Sequence, residues 1–291
     1  MQENNNNTGM VNLNSMVDKI GDFPTLPTIY TSLLEILSNP RSTVQDVANV
    51  ILKDQASTLK ILKIVNSVSY GLQSRVDTIS QAIFYIGFSE IKNIVLTLSV
   101  IDVFSNTKSL THFSLVDFWK HSIAVGVISK KLAKLIGIKS TENYFLAGIV
   151  HDIGKLFFIN TFSEEYNKIV KYALDNKMII WEAENKIYGF NHMDIGEMLA
   201  DKWQLPATIN HAIKYHHSKS IGTGTPELTI CVHLADVIAR IMELGNPGDN
   251  LVYAPCEDIW KVLNFPPDTF AKMYNSIISE YRQSVGILLL K

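Results

Sequence analysis

The doublet His151-Asp152 closes the apolar run FLAGIV, so two side chains able to bind a cation emerge from a stretch whose composition would bury it. A carboxylate withdrawn from water needs a cationic partner, and a metal ion is an effective one. Other residues of the same chemistry have informative spacings. Asp117 and His121 are four apart and project from one face of any helix that holds both. Phe118, Ile123 and Val127 would set that helix against a core. His192 sits at the start of the helix expected in GFNHMDIG. His216-His217 closes the helix expected after Pro206, and Asp236 is a lone acid among the apolar residues of HLADVIA. All eight histidines fall at or after residue 112, so any imidazole chemistry belongs to the second part of the chain.

Imidazole with carboxylate suits a divalent transition metal, one ion or two, with Fe or Mn foremost and Zn, Ni or Co also accepted. An aspartate can bridge two ions, and such a pair can activate a water while neutralising a phosphoryl oxygen. Each residue also has a simpler reading. Asp236 can pair with Arg240 one turn along, Asp117 can be a first-turn acid favoured by the helix dipole, and His192 can be an ordinary residue of a helix start. His112, His211 and His233 have nothing converging on them and read as structural. The doublet is harder to explain away, because it puts two polar groups inside an apolar run.

The elements that must position these residues are helices, and no run of alternating strand pattern competes with them. Pro27 opens a helix through LLEIL that stops at Asn39-Pro40. Ser42 with Gln45 forms a capping box, and Thr78 with Gln81 repeats it. Asp54 precedes a helix through LKILKIVNSV. Gly87 closes the helix after Thr78, and Ser89 caps a longer one to about Val103. The polar stretch 105–114 reads as a linker. Ser114 caps a long helix stopped by Gly137, and a helix from Thr141 runs to about Phe158. Later helices are expected near 163–176, 181–188, 192–203, 207–217, 226–244 and 268–289, with Gly and Pro between them. The fold class is all-α, divided as a disordered tail to residue 12, an N-terminal helical subdomain over 13–110, a helical core over 111–245 and a C-terminal helical extension over 246–291.

Composition narrows the setting. Hydrophobic residues make up 47% of the 291 and charged ones 19%, which fits a compact chain with a sizeable core. A net charge of −2 gives no field to draw nucleic acid or an anionic membrane. The lysines of KKLAKLIGIK (130–139) read as the solvated face of an amphipathic helix. Cys231 and Cys256 have no ligand-like spacing and suit a reducing compartment. MQENNNNTGM lacks the features of a signal peptide, and IVLTLSVI and GILLL are too short to span a bilayer. A cytoplasmic protein with no membrane and no nucleic-acid partner is expected.

The order of the motifs resembles the HDOD family, a branch of the HD phosphohydrolase superfamily. His121 is followed by HDIGK (151–155), GFNHMDIGEMLADKW (189–203), LP (205–206), AIKYHHS (212–218) and AD (235–236). LPTIYTSLLEIL (26–37), NSVSYG (66–71) and ISQAIFYIGFSEIKNIVL (79–96) are similar to that family's first helical subdomain, so the resemblance covers residues 20–240. It implies an HD-domain-like helical core and a regulatory output module of signalling proteins. Many members of that family have lost the superfamily's metal ligands, whereas this chain keeps residues at those positions.

The HD hydrolase pattern of ligands corresponds to His121, His151, Asp152 and Asp236. The related HD-GYP phosphodiesterases add positions matching His192, His216 and His217, and some carry a ligating acid where Asp117 stands. Lys155 matches a lysine that contacts substrate phosphate. After His217 the sequence SKSIGTGTPEL lacks the Glu, Asp-Gly and Gly-Tyr-Pro that help those enzymes recognise cyclic di-GMP. The resemblance therefore implies a signal-transduction module with an HD-type metal site, working with a signalling protein partner or a small phosphorylated ligand. Its alternative is a metal-dependent phosphohydrolase, a phosphodiesterase or nucleotide phosphatase. There Asp152 would bridge two ions, one held by His121, His151 and Asp236 and the other by His192, His216 and His217, with Asp152 and Lys155 as the catalytic residues.

Overall fold

The computed structural model describes residues 13–67, 70–220, 224, 226–257, 259–263, 265, 266 and 268–289. The tail expected over 1–12 lies outside them. Among the described residues the chain is helical, with an isolated bridge between Leu110 and Phe113 and no strand. The N-terminal part comprises α1 (Leu13–Asp22), α2 (Thr28–Ser38), α3 (Val44–Ile51), α4 (Gln55–Val65) and α5 (Ile79–Val103). The core follows with α6 (Leu115–Leu135), α7 (Glu142–Val150), α8 (Ile153–Thr161), α9 (Ser163–Asp175), α10 (Ile180–Tyr188), α11 (His192–Lys202), α12 (Ala207–Tyr215) and α13 (Glu227–Ile241). Short α14 (Ile259–Val262) and long α15 (Thr269–Leu288) complete it.

The start signals act much as the sequence suggests, with local shifts. Asp54 and Ser114 cap α4 and α6 through their side chains. The box before α3 is built one residue later than expected. Thr43 Oγ1 accepts from Asp46 N and Asp46 Oδ2 accepts from Thr43 N, while Ser42 instead donates to the Ile36 carbonyl. Thr78 caps Gln81 N, but the Gln81 side chain takes the Asp77 N–H. Gly87 (φ 79°, ψ 166°) leaves helical geometry as expected, so α5 is two helical segments that meet at a kink there. By length and composition α5 could cross a membrane, yet most of it is buried in the core.

The helix expected from Thr141 to Phe158 is in fact two, broken at the doublet. Asp152 leaves helical geometry (φ −104°, ψ 15°) and becomes the residue before α8. Both polar side chains lie wholly buried at this break. α6 packs against α7 and α13, and α8 and α12 both lie on α11. The close fit of α7 on α6 depends on Gly148, where a Cβ would lie 2.3 Å from the Gly126 nitrogen.

The first and last described helices are both stitched to this core. Lys202 Nζ donates to the carbonyls of Ile20, Gly21 and Phe23, and Trp203 Nε1 donates to Pro24 O. At the other end α15 packs on α6 and α4. Of the lysines expected on a solvated face, Lys134 and Lys139 are exposed, whereas Lys130 packs on α5 and Lys131 on α15. Lys130 is 8% exposed, 3.9 Å from Glu90 and over the Tyr70 ring, and Lys131 bonds Glu280 at 2.7 Å.

Candidate metal centre

Five places in the helical core converge around Asp152. α6 supplies His121, the α7–α8 break supplies His151 and Asp152, and α11 supplies His192. The end of α12 supplies His216 and His217, and α13 supplies Asp236. Asp152 Oδ1 lies 3.0 Å from His192 Nε2 and 3.4 Å from His216 Nε2. Its Oδ2 lies 3.2 Å from His151 Nε2 and 2.7 Å from Lys155 Nζ. His121 Nε2 is 2.8 Å from Asp236 Oδ1, and His217 Nδ1 is 3.7 Å from Asp236 Oδ2. Asp152, His192, His216 and His217 each offer a ligand atom within 4.8 Å of all the others, and so do His121, His151 and Asp152.

The outer nitrogens fix how these rings are presented. His151 Nδ1 donates to Gly148 O at 2.7 Å and His216 Nδ1 donates to Ile213 O at 2.8 Å. His192 Nδ1 donates to Glu184 Oε2 at 2.6 Å. In each ring the proton is held outward, so the Nε2 lone pair points to the centre. Those three Nε2 atoms, Asp152 Oδ1, and both ring nitrogens of His121 and of His217 are buried without a hydrogen-bond partner. Buried polar atoms are almost always paired, and a set of inward lone pairs around a carboxylate is the donor set of a divalent transition metal. The residues present therefore fit such an ion.

Electrostatics agrees for three of the rings, whereas at His192 burial is outweighed by the Glu184 carboxylate, which raises that imidazole above its usual value. Burial pushes His216 down to about 4, and burial together with His216 holds His217 well below its usual value. His121 is likewise lowered by burial. All three are neutral at pH 7 and able to donate a lone pair. Burial would raise Asp152, but His151, Lys155 and His192 outweigh it and keep the carboxyl ionised. For Asp236 burial is outweighed by Arg240 and His121.

Six of the nine expected site residues fall in these two groups, Asp236 adjoins them through His121 and His217, and Lys155 joins in another capacity. The phosphate contact implied for Lys155 is not what its amine does here, since it is wholly buried on Asp152. Asp117 is not brought in. Its carboxylate bonds Lys120 at 3.0 Å while its N–H meets Ser114, which makes it the first-turn acid of α6. Asp236 does pair with Arg240, at 3.1 Å, while also facing His121. His233 has both nitrogens satisfied, by the His216 carbonyl and the Cys256 N–H, and is structural as its surroundings suggest.

Sequence reasoning missed the supporting shell. Glu184 accepts from His192 N, His192 Nδ1 and the Tyr166 hydroxyl, all inside the core. The loop after α13 lies across the centre: Asp249 and Leu251 O receive Arg240, and the Tyr253 hydroxyl donates to Asp236 Oδ2 at 2.8 Å. Tyr253 and Trp181 pack against the His217 ring. Gly154 is equally needed, because a Cβ there would lie 1.9 Å from the His192 carbonyl. The only available signals were a Glu on a half-polar helix and a glycine inside HDIGK.

The chain belongs to the HDOD domain family, whose family model matches residues 23–219. An uncharacterized protein of Treponema pallidum (strain Nichols) is 24% identical over 205 residues, 70% of this chain and 39% of that protein. The uncharacterized protein YuxH of Bacillus subtilis (strain 168) is 30% identical over 124 residues, 41% of this chain and 28% of that protein. The chain thus spans well under half the length of these curated relatives. Among solved structures, an HDOD domain protein of unknown function from Geobacter sulfurreducens superposes with a TM-score of 0.78 at 24% identity, covering 96% of this chain and 100% of that one. A candidate metal-dependent phosphohydrolase from Shewanella amazonensis SB2B gives 0.68 at 20% identity, covering 94% and 96%. These likenesses establish the all-α HDOD fold.

Proposed function

We propose that this chain is a regulatory HDOD module whose centre holds a divalent transition metal, Fe or Mn first, as part of its folded structure. One observation carries the reading: the side chains of His121, His151, Asp152, Lys155, His192 and His216 are at most 1% exposed, so the described residues leave a phosphoester no open path to them. Such an ion would lock α6, α8, α11, α12 and α13 in register and leave signalling to the outer surfaces. In this reading residues 13–110 form the helical subdomain, 111–245 the metal-bearing core and 246–291 the extension. The partner is a signalling protein or a small phosphorylated ligand in the cytoplasm, with no role for membrane or nucleic acid.

The sharing of Asp152 between two groups of imidazoles favours a second reading, a phosphohydrolase, and a fold neighbour is named in that sense. Bound ions would supply Lewis acidity and an activated water. Asp152 would orient them, and Lys155 would have to leave Asp152 to meet a phosphate. Cyclic di-GMP is not the expected substrate. Assay of a phosphoester panel with Mn or Fe separates the two readings. Silence across the panel with metal retained supports the module, and turnover abolished by His151→Ala replaces it with the hydrolase.

A further inference from the structure

The N-terminal helices leave several large apolar side chains in solvent. Phe84 is 79% exposed and Tyr85 is exposed beside it, their rings edge to face at 5.6 Å rather than packed on the core. Leu52, just after α3, and Leu59 of α4 are exposed as well. α4 is apolar on more than its core side. Ile61 and Val65 are buried, whereas Leu59 and Leu62, three apart, share another face. Single exposed apolar side chains need no explanation, but a contiguous group of them marks an interaction surface.

Contiguity comes from a hollow of about 340 Å³, walled by Leu52, Leu62 of α4, and Ile79 and Ser80 of α5. Phe84 stands one turn beyond Ser80 on the same face of α5, in the segment before the Gly87 kink. Helical side chains lean back toward the helix start, which tilts the Phe84 ring toward this hollow. The ring does not fill it, since most of its surface is in solvent. A dry cavity of about 150 Å³ already holds a benzene, so the hollow has room for a phenyl ring. Its one charged wall residue, Asp77, is paired with Arg75 at 2.9 Å, which leaves no unmatched charge on the wall to repel a like surface.

A projecting ring beside a hollow that can take it is self-complementary about a two-fold axis, because each copy offers what the other accepts. We propose that this chain forms a symmetric dimer in which Phe84 of each copy enters the hollow between α3, α4 and α5 of the other, with Tyr85 and Leu59 packed around it. None of these three helices carries a candidate metal ligand, so the dimer is independent of what the centre holds.

Sedimentation velocity on the full chain, over a concentration series up to roughly 0.1 mM, tests this. The wild type should dimerise. Phe84→Ser and Leu52→Ser should each raise the dissociation constant more than about tenfold, as truncation of an interface anchor does. Tyr274→Ser, which removes an exposed ring on α15, should change nothing. Mixing chains that carry Phe84→Cys with chains that carry Leu52→Cys should give a mixed disulfide under mild oxidation, since the native Cys231 and Cys256 are buried. If Phe84→Ser loses helix content by circular dichroism, Leu52→Ser and the cross-link decide. A wild type that stays monomeric overturns the proposal, as does a dimer that survives both serine variants, dissolves in Tyr274→Ser or gives no mixed cross-link. Metal content should be the wild-type value throughout, so failure here leaves the metal centre standing.

Discussion

The N-terminal helices and the core around Asp152 are built on opposite terms. In α2 to α5 the interior is mainly aliphatic, with Leu33, Val47, Ile51, Ile61 and Ile79 essentially buried, and the side-chain caps of α3, α4 and α5 lie in exposed or half-buried positions. In the core, three aspartates, a glutamate, six histidines, a lysine and an arginine lie below 9% exposure and contact one another. An aliphatic interior loses stability in proportion to the apolar volume removed. A buried polar network depends on every member being matched, so removing one strands the rest. Position in the fold thus decides how costly a one-residue change is, more than the size of the side chain does.

That contrast can be broken most forcefully at Asp152. Asp152→Ala removes the shared carboxylate and leaves Lys155 buried without its partner, so a loss of ~4 kcal/mol in unfolding free energy is expected. Elemental analysis should show metal gone from that variant, and circular dichroism at low temperature should show helix content largely kept. Metal content equal to the wild type would show that the site is elsewhere.

Stripping the metal without mutation should act next most strongly. An ion present at a hundredfold excess over its Kd contributes about 2.7 kcal/mol, so chelation should lower the thermal midpoint of the wild type measurably and leave that of Asp152→Ala in place. Equal shifts in the two proteins would mean that the chelator acts at another site.

Tyr253→Phe tests the loop over the centre. It removes one hydrogen bond to a charged group, with ~2 kcal/mol of destabilisation expected, readable in urea unfolding. A neutral result would show that the loop does not brace Asp236. The smallest effect belongs to the N-terminal side. Thr43→Ala unmakes the box at the start of α3 and should cost ~1 kcal/mol with no change in metal content; a change there would mean that the two regions are coupled.

The helices were legible because apolar period and cap chemistry are local properties, and the boundaries found for α9 to α13 lie within a few residues of those expected. Where local cues competed, tertiary demand decided. The box at α3 formed on Thr43 rather than Ser42, and the apolar run through residue 158 broke at Asp152 because the core needed that carboxylate turned inward. The ligands were legible through the doublet and the ordered motifs around it. Their support was not. Glu184 reads as a solvated acid until α10 is set against α11, and Tyr253 reaches Asp236 only because the loop after α13 doubles back. Asp117 shows the converse: a spacing of four from His121 gave it the right face, yet a lysine one turn along claimed its charge.

The loop bearing Asp249 and Tyr253 also bears on how this architecture is inherited. The stretch recognised as HDOD ends at residue 219, whereas Asp236, Arg240, Asp249 and Tyr253 all follow it. The centre is thus assembled from residues inside the matched stretch and from residues that follow it. A change at Asp236 or Arg240 alone would therefore disturb the centre while leaving the matched stretch, doublet included, untouched.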